Sequence, residues 1–238
     1  MFAALSHGTL DGMPASKTAR ERARAELTRE IKDEARRQLG EVGPHGLSLR
    51  AVARELGMVS SALYRYFPSR DHLLTELIID AYNEIGEAAE RADDPSAAPR
   101  DRWLRIWAAT RDWAKRNPHE YSLIYGSPVP GYQAPQDTIT PAGRVALALV
   151  RVMESADLAP AMPGPPLPVE LAEQARKVQT ALGTSLPEAD LVRLMTAWTH
   201  LFGAISFELF GQYANTADPA DAYFDYTAGQ SAAFVGLP

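Results

Sequence analysis

The stretch from Leu47 to Leu74, LSLRAVARELGMVSSALYRYFPSRDHLL, constrains the fold of this 238-residue chain more than any other. Ser48 is a good N-cap residue, and apolar residues recur at helical spacing behind it. Gly57 predicts the end of that helix, because glycine adopts left-handed backbone angles without steric cost. A second short helical pattern ends at Pro68, and Ser69 can cap a third helix. Two short helices around a tight Gly-containing turn predict a helix-turn-helix.

Part of this stretch, GMVSSALYRYFPSRDHLL, resembles the DNA-binding signature of the TetR/AcrR family of bacterial transcriptional regulators. The residues that match the signature directly include Gly57, Leu63, Tyr64, Tyr66 and Phe67. Conservative replacements stand at Met58, Ser61, Ala62 and Arg70. Val59 departs from the pattern, since the family more often has serine there. The resemblance extends from Lys17 to Leu74.

This resemblance implies that the second helix enters the major groove of double-stranded DNA. The side chains that we expect to contact DNA are Ser48, Arg50, Ser60, Ser61, Tyr64, Arg65, Tyr66 and Arg70. Of these, Ser48 and Arg70 are expected to bind phosphates. Basic residues also precede the helix-turn-helix, at Lys17, Arg20, Arg22 and Arg24. They either reach the DNA backbone or minor groove or form a solvated helix face.

Charge is distributed unevenly along the chain. Residues 1–70 contain twelve Lys and Arg against eight Asp and Glu, a net charge of +4, whereas the whole chain carries −6. Positive charge is therefore concentrated around the helix-turn-helix, where a phosphate backbone would attract it. An asymmetry of this size also arises by chance, so it only supports the DNA-binding interpretation.

Helical periodicity predicts an all-α fold of about nine helices, because no segment shows the alternation of a strand. Residues 1–16 lack any period and are predicted to form a disordered tail. Residues 17–70 are predicted to form the helix-turn-helix DNA-binding domain. Residues 71–238 are predicted to form a larger helical ligand-binding and dimerisation domain. A helix from Ser69 to about Arg91 would join the two.

Prolines and glycines predict two loops, Gly126 to Pro141 and Leu158 to Pro168. Two helices are predicted to begin with capping boxes. One pairs Asn117 with Glu120, and the other pairs Ser185 with Glu188.

The sequence offers no constellation for catalysis. The chain has no cysteine, and none of its five histidines has a partner at metal-ligand spacing. No phosphate-binding glycine loop or nucleophile elbow is present. The MFAAL start is too short for a signal peptide, and the run from Val145 to Val150 is too short for a membrane span. We therefore expect a cytoplasmic protein without cofactor, metal or enzymatic activity. An α-helical enzyme is the weakest alternative.

Aromatic residues on at least three helices of the second region could line a small-molecule pocket. The candidates are Trp103, Trp107, Trp113, Tyr121, Tyr125, Trp198 and Phe202. Aromatic residues at helical spacing are more often plain core, so each one has two possible roles. The family resemblance implies an inducer pocket here, so some of them are expected to line it. Trp107→Ala is expected to enlarge the pocket and Ala108→Trp to fill it.

The segment from Leu194 to Gln212 places small residues between large apolar ones, which predicts either the central core or a dimer interface. The resemblance implies a four-helix bundle formed by the last long helices of two subunits. The segment also resembles a TetR C-terminal subgroup with the pattern W-x-x-x-H-G. Trp198 and Gly203 match that pattern, and Phe202 takes the place of its histidine.

The resemblance implies a homodimeric repressor that a small apolar or aromatic inducer releases from an inverted-repeat operator. The alternative is a sensor or scaffold whose helix-turn-helix docks a protein partner. The triplet Tyr64-Arg65-Tyr66 and the local positive charge favour DNA.

Overall fold

The structure, a computed structural model, describes residues 18–160 and 164–238. Within these ranges the chain forms eleven α-helices and no strand, which confirms the all-α class. The helices are α1 Ala19–Gly46, α2 Leu49–Glu55, α3 Ser60–Leu63, α4 Arg70–Ala92, α5 Pro99–Arg116, α6 Pro118–Tyr125, α7 Ile139–Ala142, α8 Arg144–Glu154, α9 Val169–Leu182, α10 Glu188–Leu209 and α11 Asp221–Val235. The predicted tail and Lys17 lie outside the described residues.

The first three helices and the beginning of α4 surround one hydrophobic core, which we call the head core. Its residues include Ile31, Leu39, Leu49, Val52, Leu63, Phe67, Leu73, Leu74 and Ile78. The predicted N-caps of this region and the turn at Gly57 are confirmed, whereas α3 ends at Leu63, before the predicted stop at Pro68. The Ser48 hydroxyl accepts a hydrogen bond from the Ala51 amide, and the Ser69 hydroxyl accepts one from the His72 amide at 3.0 Å. Gly57 has φ +65°, which lets the chain turn between α2 and α3.

Helix α4 belongs to two cores. Its first turns contribute to the head core, whereas Ala81, Ile85 and Ala89 belong to a larger C-terminal core shared with α5, α8, α10 and α11. Ion pairs also join α4 to α1. Lys32 Nζ lies 3.0 Å from Asp80, and an Arg36 guanidinium nitrogen lies 2.8 Å from the same carboxylate. Helix α4 is therefore tied to the head core by both apolar packing and ion pairs.

Residues 126–141 are more ordered than the predicted loop. They contain a 3₁₀ turn, Gln136–Thr138, and the start of α7. The Thr138 hydroxyl donates to the Pro135 carbonyl at 2.7 Å, which closes the turn that leads into α7. Helix α7 is therefore one of the α-helices beyond the predicted nine.

Both predicted capping boxes are wrong. The side-chain amide of Asn117 donates to the backbone carbonyl of Trp113, in the preceding helix, at 2.9 Å. The start of α6 therefore has no side-chain cap. The backbone amide of Ser185 donates to the Glu154 carboxylate, and Pro187 occupies the N-cap position of α10. In each case another hydrogen-bond partner outcompetes the local motif.

Candidate DNA-binding surface and ligand cavity

The predicted recognition helix presents polar side chains to solvent. It is anchored by Leu63, whose side chain is fully buried in the head core. Arg50, Ser61, Tyr64 and Arg65 are exposed, and Tyr64 keeps 44% of its surface accessible. Neither Arg50 nor Arg65 forms an ion pair with another described residue. These guanidinium groups and hydroxyls are therefore available to phosphate oxygens and base edges.

The other four predicted DNA contacts are half-buried: Ser48, Ser60, Tyr66 and Arg70. Three of them already have partners inside the protein. Ser48 caps α2, and the Arg70 guanidinium donates to the Leu47 carbonyl at 3.2 Å. The Arg24 guanidinium lies 5.3 Å from the centroid of the Tyr66 ring, close enough for a cation–π interaction. Ser48, Tyr66 and Arg70 are therefore engaged within the protein in the absence of DNA.

A cavity of about 750 Å³ lies among α4, α6, α8, α9, α10 and residues 126–143. Its size is that of a pocket for a drug-sized molecule, and its wall is mostly apolar. Ile78 of α4, Leu123 of α6 and Val129 line the cavity and also belong to the head core. The wall of the cavity and the head core are therefore continuous.

Among the seven aromatic residues predicted for the pocket, only Trp198 lines this cavity. Trp103, Trp107 and Tyr121 are fully buried in the C-terminal core, and Trp113 is nearly so. Trp107 packs against the Phe224 ring, with centroids 5.9 Å apart.

Tyr125 and Phe202 form a separate stacked pair, with ring centroids 4.0 Å apart. The expectation for Ala108→Trp is wrong, because Ala108 is exposed on the outer side of α5 and does not border the cavity.

The sequence reasoning missed most of the cavity wall, since it consists of medium-sized aliphatic residues rather than aromatic ones. One signal was available. The Pro-rich segment between α6 and α8 contains Val129, Tyr132 and Ile139, and apolar residues within a loop indicate that the loop packs on something. In the structure all three line the cavity.

Two phenol groups near the cavity are held in their neutral form. Burial, together with the neighbouring Tyr132, raises the pKa of Tyr82 above its ordinary value. Burial, followed by the nearby Tyr82 and Tyr121, raises the pKa of Tyr125 well above its ordinary range. Both groups are therefore uncharged at neutral pH.

Comparison with known proteins identifies the family. A family described as "Bacterial regulatory proteins, tetR family" matches residues 31–77, which include α2, α3 and the turn between them. A second family, described as "Tetracyclin repressor-like, C-terminal domain", matches residues 103–230. The chain belongs to the TetR family of DNA-binding transcription regulators.

Two curated relatives are similar to this chain over most of their length. The HTH-type transcriptional regulators Rv1816 of Mycobacterium tuberculosis and Mb1846 of Mycobacterium bovis are each 41% identical over 199 residues. The alignment covers 80% of this chain and 84% of each relative. Their names describe transcription regulators and give no ligand.

Solved structures agree with the fold. The crystal structure of the regulatory protein SCO4313 has a TM-score of 0.75 and 32% sequence identity. The alignment covers 90% of this chain and 98% of the SCO4313 chain. A TetR-family regulator from Streptomyces coelicolor has a TM-score of 0.58 at 15% sequence identity. The alignment covers 88% of this chain and 83% of that regulator, and the likeness is one of fold alone.

Within this TetR-family head, Val59 has a local structural consequence. It occupies the N-cap position of α3, where it is 71% exposed and supplies no side-chain hydrogen bond. Serine at an N-cap accepts a hydrogen bond from an amide in the first turn of the helix. The recognition helix of this chain therefore begins without a side-chain cap.

We expect Val59→Ser to raise the free energy of unfolding by up to about 1 kcal/mol, because it restores the missing cap. Urea denaturation of the two proteins measures the difference. Val59→Ala is the matched control, since it removes the same apolar surface without adding an acceptor. Equal stability of the serine and alanine variants would contradict the capping argument.

Proposed function

We propose that this protein is a homodimeric repressor that leaves an inverted-repeat operator when a small, largely apolar molecule fills the cavity. The observation that carries the proposal is the shared wall, since Ile78, Leu123 and Val129 face the cavity and pack in the head core. A ligand in the cavity thus touches residues on which the position of α3 depends. The direct contacts to DNA are assigned to Arg50, Ser61, Tyr64, Arg65 and Ser60. Ser48, Tyr66 and Arg70 hold the recognition helix and the phosphates beside it.

The route from ligand to DNA runs along α4. Ile78 and Tyr82 of this helix line the cavity, and Thr75, one turn earlier, is 2.8 Å from the Tyr132 hydroxyl. The two recognition helices of a dimer must lie about 34 Å apart to meet successive major grooves. A ligand that binds better when α4 holds another spacing lowers DNA affinity, by no more than its differential affinity for the two states.

Dimerisation is assigned to α10 and α11. Exposed residues recur at helical spacing on both helices, at Thr196, Thr199, Gly203, Phe207, Tyr223, Tyr226, Gln230 and Phe234. A Cβ built on Gly203 would meet no atom within 4 Å, so packing inside the protomer does not require glycine there. Exposed aromatic rings beside a glycine suit close approach of a second helix pair.

We expect Gly203→Glu to weaken dimerisation by about 3 kcal/mol or more, because it places an unpaired carboxylate in the interface. The protomer has room for the side chain and should stay folded. Analytical ultracentrifugation measures the dimer fraction. Gln174→Glu adds the same charge on the exposed face of α9 and should leave the dimer intact. A dimer as stable as the parent in Gly203→Glu would exclude this face.

The proposal is tested by selecting bound sequences from randomised DNA with the full chain. Two-fold protein symmetry predicts that the selected sites are inverted repeats. Affinity for the selected site should fall linearly with the logarithm of salt concentration, because bound phosphates release counterions. Selection of no sequence, or of sites without a dyad, would contradict the proposed function.

Filling the cavity should impair the response to ligand more than the binding of DNA. Ala146 of α8 lines the cavity and is nearly fully buried. We expect Ala146→Trp to raise, by about tenfold or more, the concentration of a releasing compound that is needed to release the protein from the operator. The affinity of the free protein for the operator should change less. Ala108→Trp is the control, because it adds the same side chain on the exposed side of α5.

Operator binding followed by fluorescence anisotropy, at increasing concentrations of a compound that releases the parent protein, measures both quantities. A melting curve accompanies each variant, since overpacking can cost about 1–3 kcal/mol. If the Ala146→Trp variant folds normally and is released from the operator at the same compound concentration as the parent, the ligand binds elsewhere.

A further inference from the structure

Every side chain that lines the cavity is uncharged. Within the part of the chain that the structure describes, no Asp, Glu, Lys, Arg or His belongs to its wall, although 23% of the chain is charged. Arg144 follows directly after the lining residue Gly143, but its guanidinium already binds Glu90 at 2.9 Å and Asn83 at 3.0 Å. An ionised ligand would therefore lose hydration without gaining a partner of opposite charge, which is far more costly than burying a neutral one.

The hydroxyl oxygen of Tyr132 can accept a hydrogen bond from a ligand. Thr75 donates its hydroxyl proton to the Asp71 carbonyl at 2.9 Å. While Thr75 makes that bond, the tyrosine is the donor in the 2.8 Å contact between the two hydroxyls. The Tyr132 oxygen then has no proton left but keeps a free lone pair.

Two further hydroxyls of the wall also donate to partners inside the protein. Thr138 donates to the Pro135 carbonyl at 2.7 Å, and Tyr82 donates to the Ile124 carbonyl over a longer 3.4 Å. Both oxygens keep acceptor capacity. Trp198 contributes an indole N–H, which donates only. A ligand hydroxyl can satisfy either kind of group, whereas an ether oxygen can only accept.

We propose that the cavity selects an uncharged, largely apolar molecule that carries a hydroxyl group, such as an alkylphenol or a long-chain alcohol. The Tyr132 oxygen accepts the hydrogen bond of that hydroxyl. This inference rests on the proposed sensing function and specifies the class of molecule sensed.

The test is isothermal titration calorimetry of the full chain at pH 7.5 with three probes of eleven carbon atoms. They are 4-pentylphenol, its isomer 4-butylanisole, which has an ether in place of the hydroxyl, and 4-butylbenzoate, which is anionic. We expect the phenol to bind about tenfold tighter than the ether, since the ether makes no hydrogen bond to Tyr132. We expect it to bind at least about a hundredfold tighter than the anion.

Tyr132→Phe should remove most of the advantage of the phenol and leave the affinity for 4-butylanisole unchanged, with a melting curve as the check on folding. Benzoate binding as tight as phenol binding would overturn the charge argument. Equal binding of phenol and ether, or an undiminished phenol advantage in Tyr132→Phe, would overturn the role of Tyr132. Binding of none of the three probes would overturn the whole inference.

Failure of the proposed function can be distinguished from failure of this inference. If 4-pentylphenol binds in the expected order but leaves operator affinity unchanged, the cavity has the inferred selectivity and the coupling to DNA is absent.

Discussion

Replacement of Arg111 by alanine is expected to lower the free energy of unfolding by about 3 kcal/mol, the lower end of the cost of removing one partner from a buried ion pair. Arg111 of α5 joins α10 and α11. Its guanidinium donates two hydrogen bonds of 2.6 Å to Glu208 and one of 2.6 Å to Asp221, and it lies 4.8 Å from the Phe224 ring centroid. Without it, the mostly buried Glu208 keeps only Lys115 at 3.2 Å.

Chemical denaturation measures this loss. The control is Arg116→Ala on the same helix, because Arg116 is exposed and its guanidinium donates to the Asp112 carbonyl within its own turn. That variant should stay within about 0.5 kcal/mol of the parent. An equally small change in Arg111→Ala would show that the network contributes little to stability.

The same network gives a dependence on pH. Burial opposes ionisation of Glu208, but hydrogen bonds from Arg111 and then Lys115 outweigh it and hold the pKa of Glu208 below its ordinary value. A carboxylate with a lowered folded-state pKa contributes stability above its unfolded pKa of about 4.5, and this is lost as pH falls through the folded value. Stability should therefore decline below about pH 4.5, and less steeply in Arg111→Ala.

The double replacement Tyr64→Ala and Arg65→Ala is expected to weaken operator binding at least about a hundredfold. Each true DNA contact is worth roughly 1–3 kcal/mol, and a dimer presents both residues twice. The two side chains are exposed, so the fold should be unaffected. Fluorescence anisotropy with the selected operator measures the change.

Arg105→Ala is the control for this experiment, because it removes one exposed positive charge on α5. The single variants then separate the roles of the two side chains. Loss of specificity at one base position in Arg65→Ala would indicate a base contact, whereas a smaller salt dependence would indicate a phosphate contact. Unchanged affinity in the folded double variant would remove the recognition-helix assignment.

The DNA-binding head could be predicted from the sequence because its geometry is set locally. Gly57 adopts the left-handed angles that end α2, and Ser48 and Ser69 cap helices through amides three residues ahead. Such short-range chemistry is visible in a single stretch of sequence. The same holds for the all-α class, since helical periodicity recurs throughout the chain.

The cavity could not be predicted in the same way, because its wall depends on which helix faces meet. Trp107 and Trp198 both lie on apolar helix faces, yet one is sealed in the core and the other borders the cavity. Spacing alone does not distinguish these environments. The capping box at Ser185 was wrong for a related reason, since its competitor Glu154 lies 31 residues away.

The measurement that tests the central claim most directly is operator affinity with and without a bound cavity ligand. Fluorescence anisotropy of the selected operator would be recorded with the full chain, alone and with 4-pentylphenol at a concentration that calorimetry shows to be saturating. The coupling through α4 predicts that the Kd for the operator rises about fivefold or more. An unchanged Kd at saturation would contradict it.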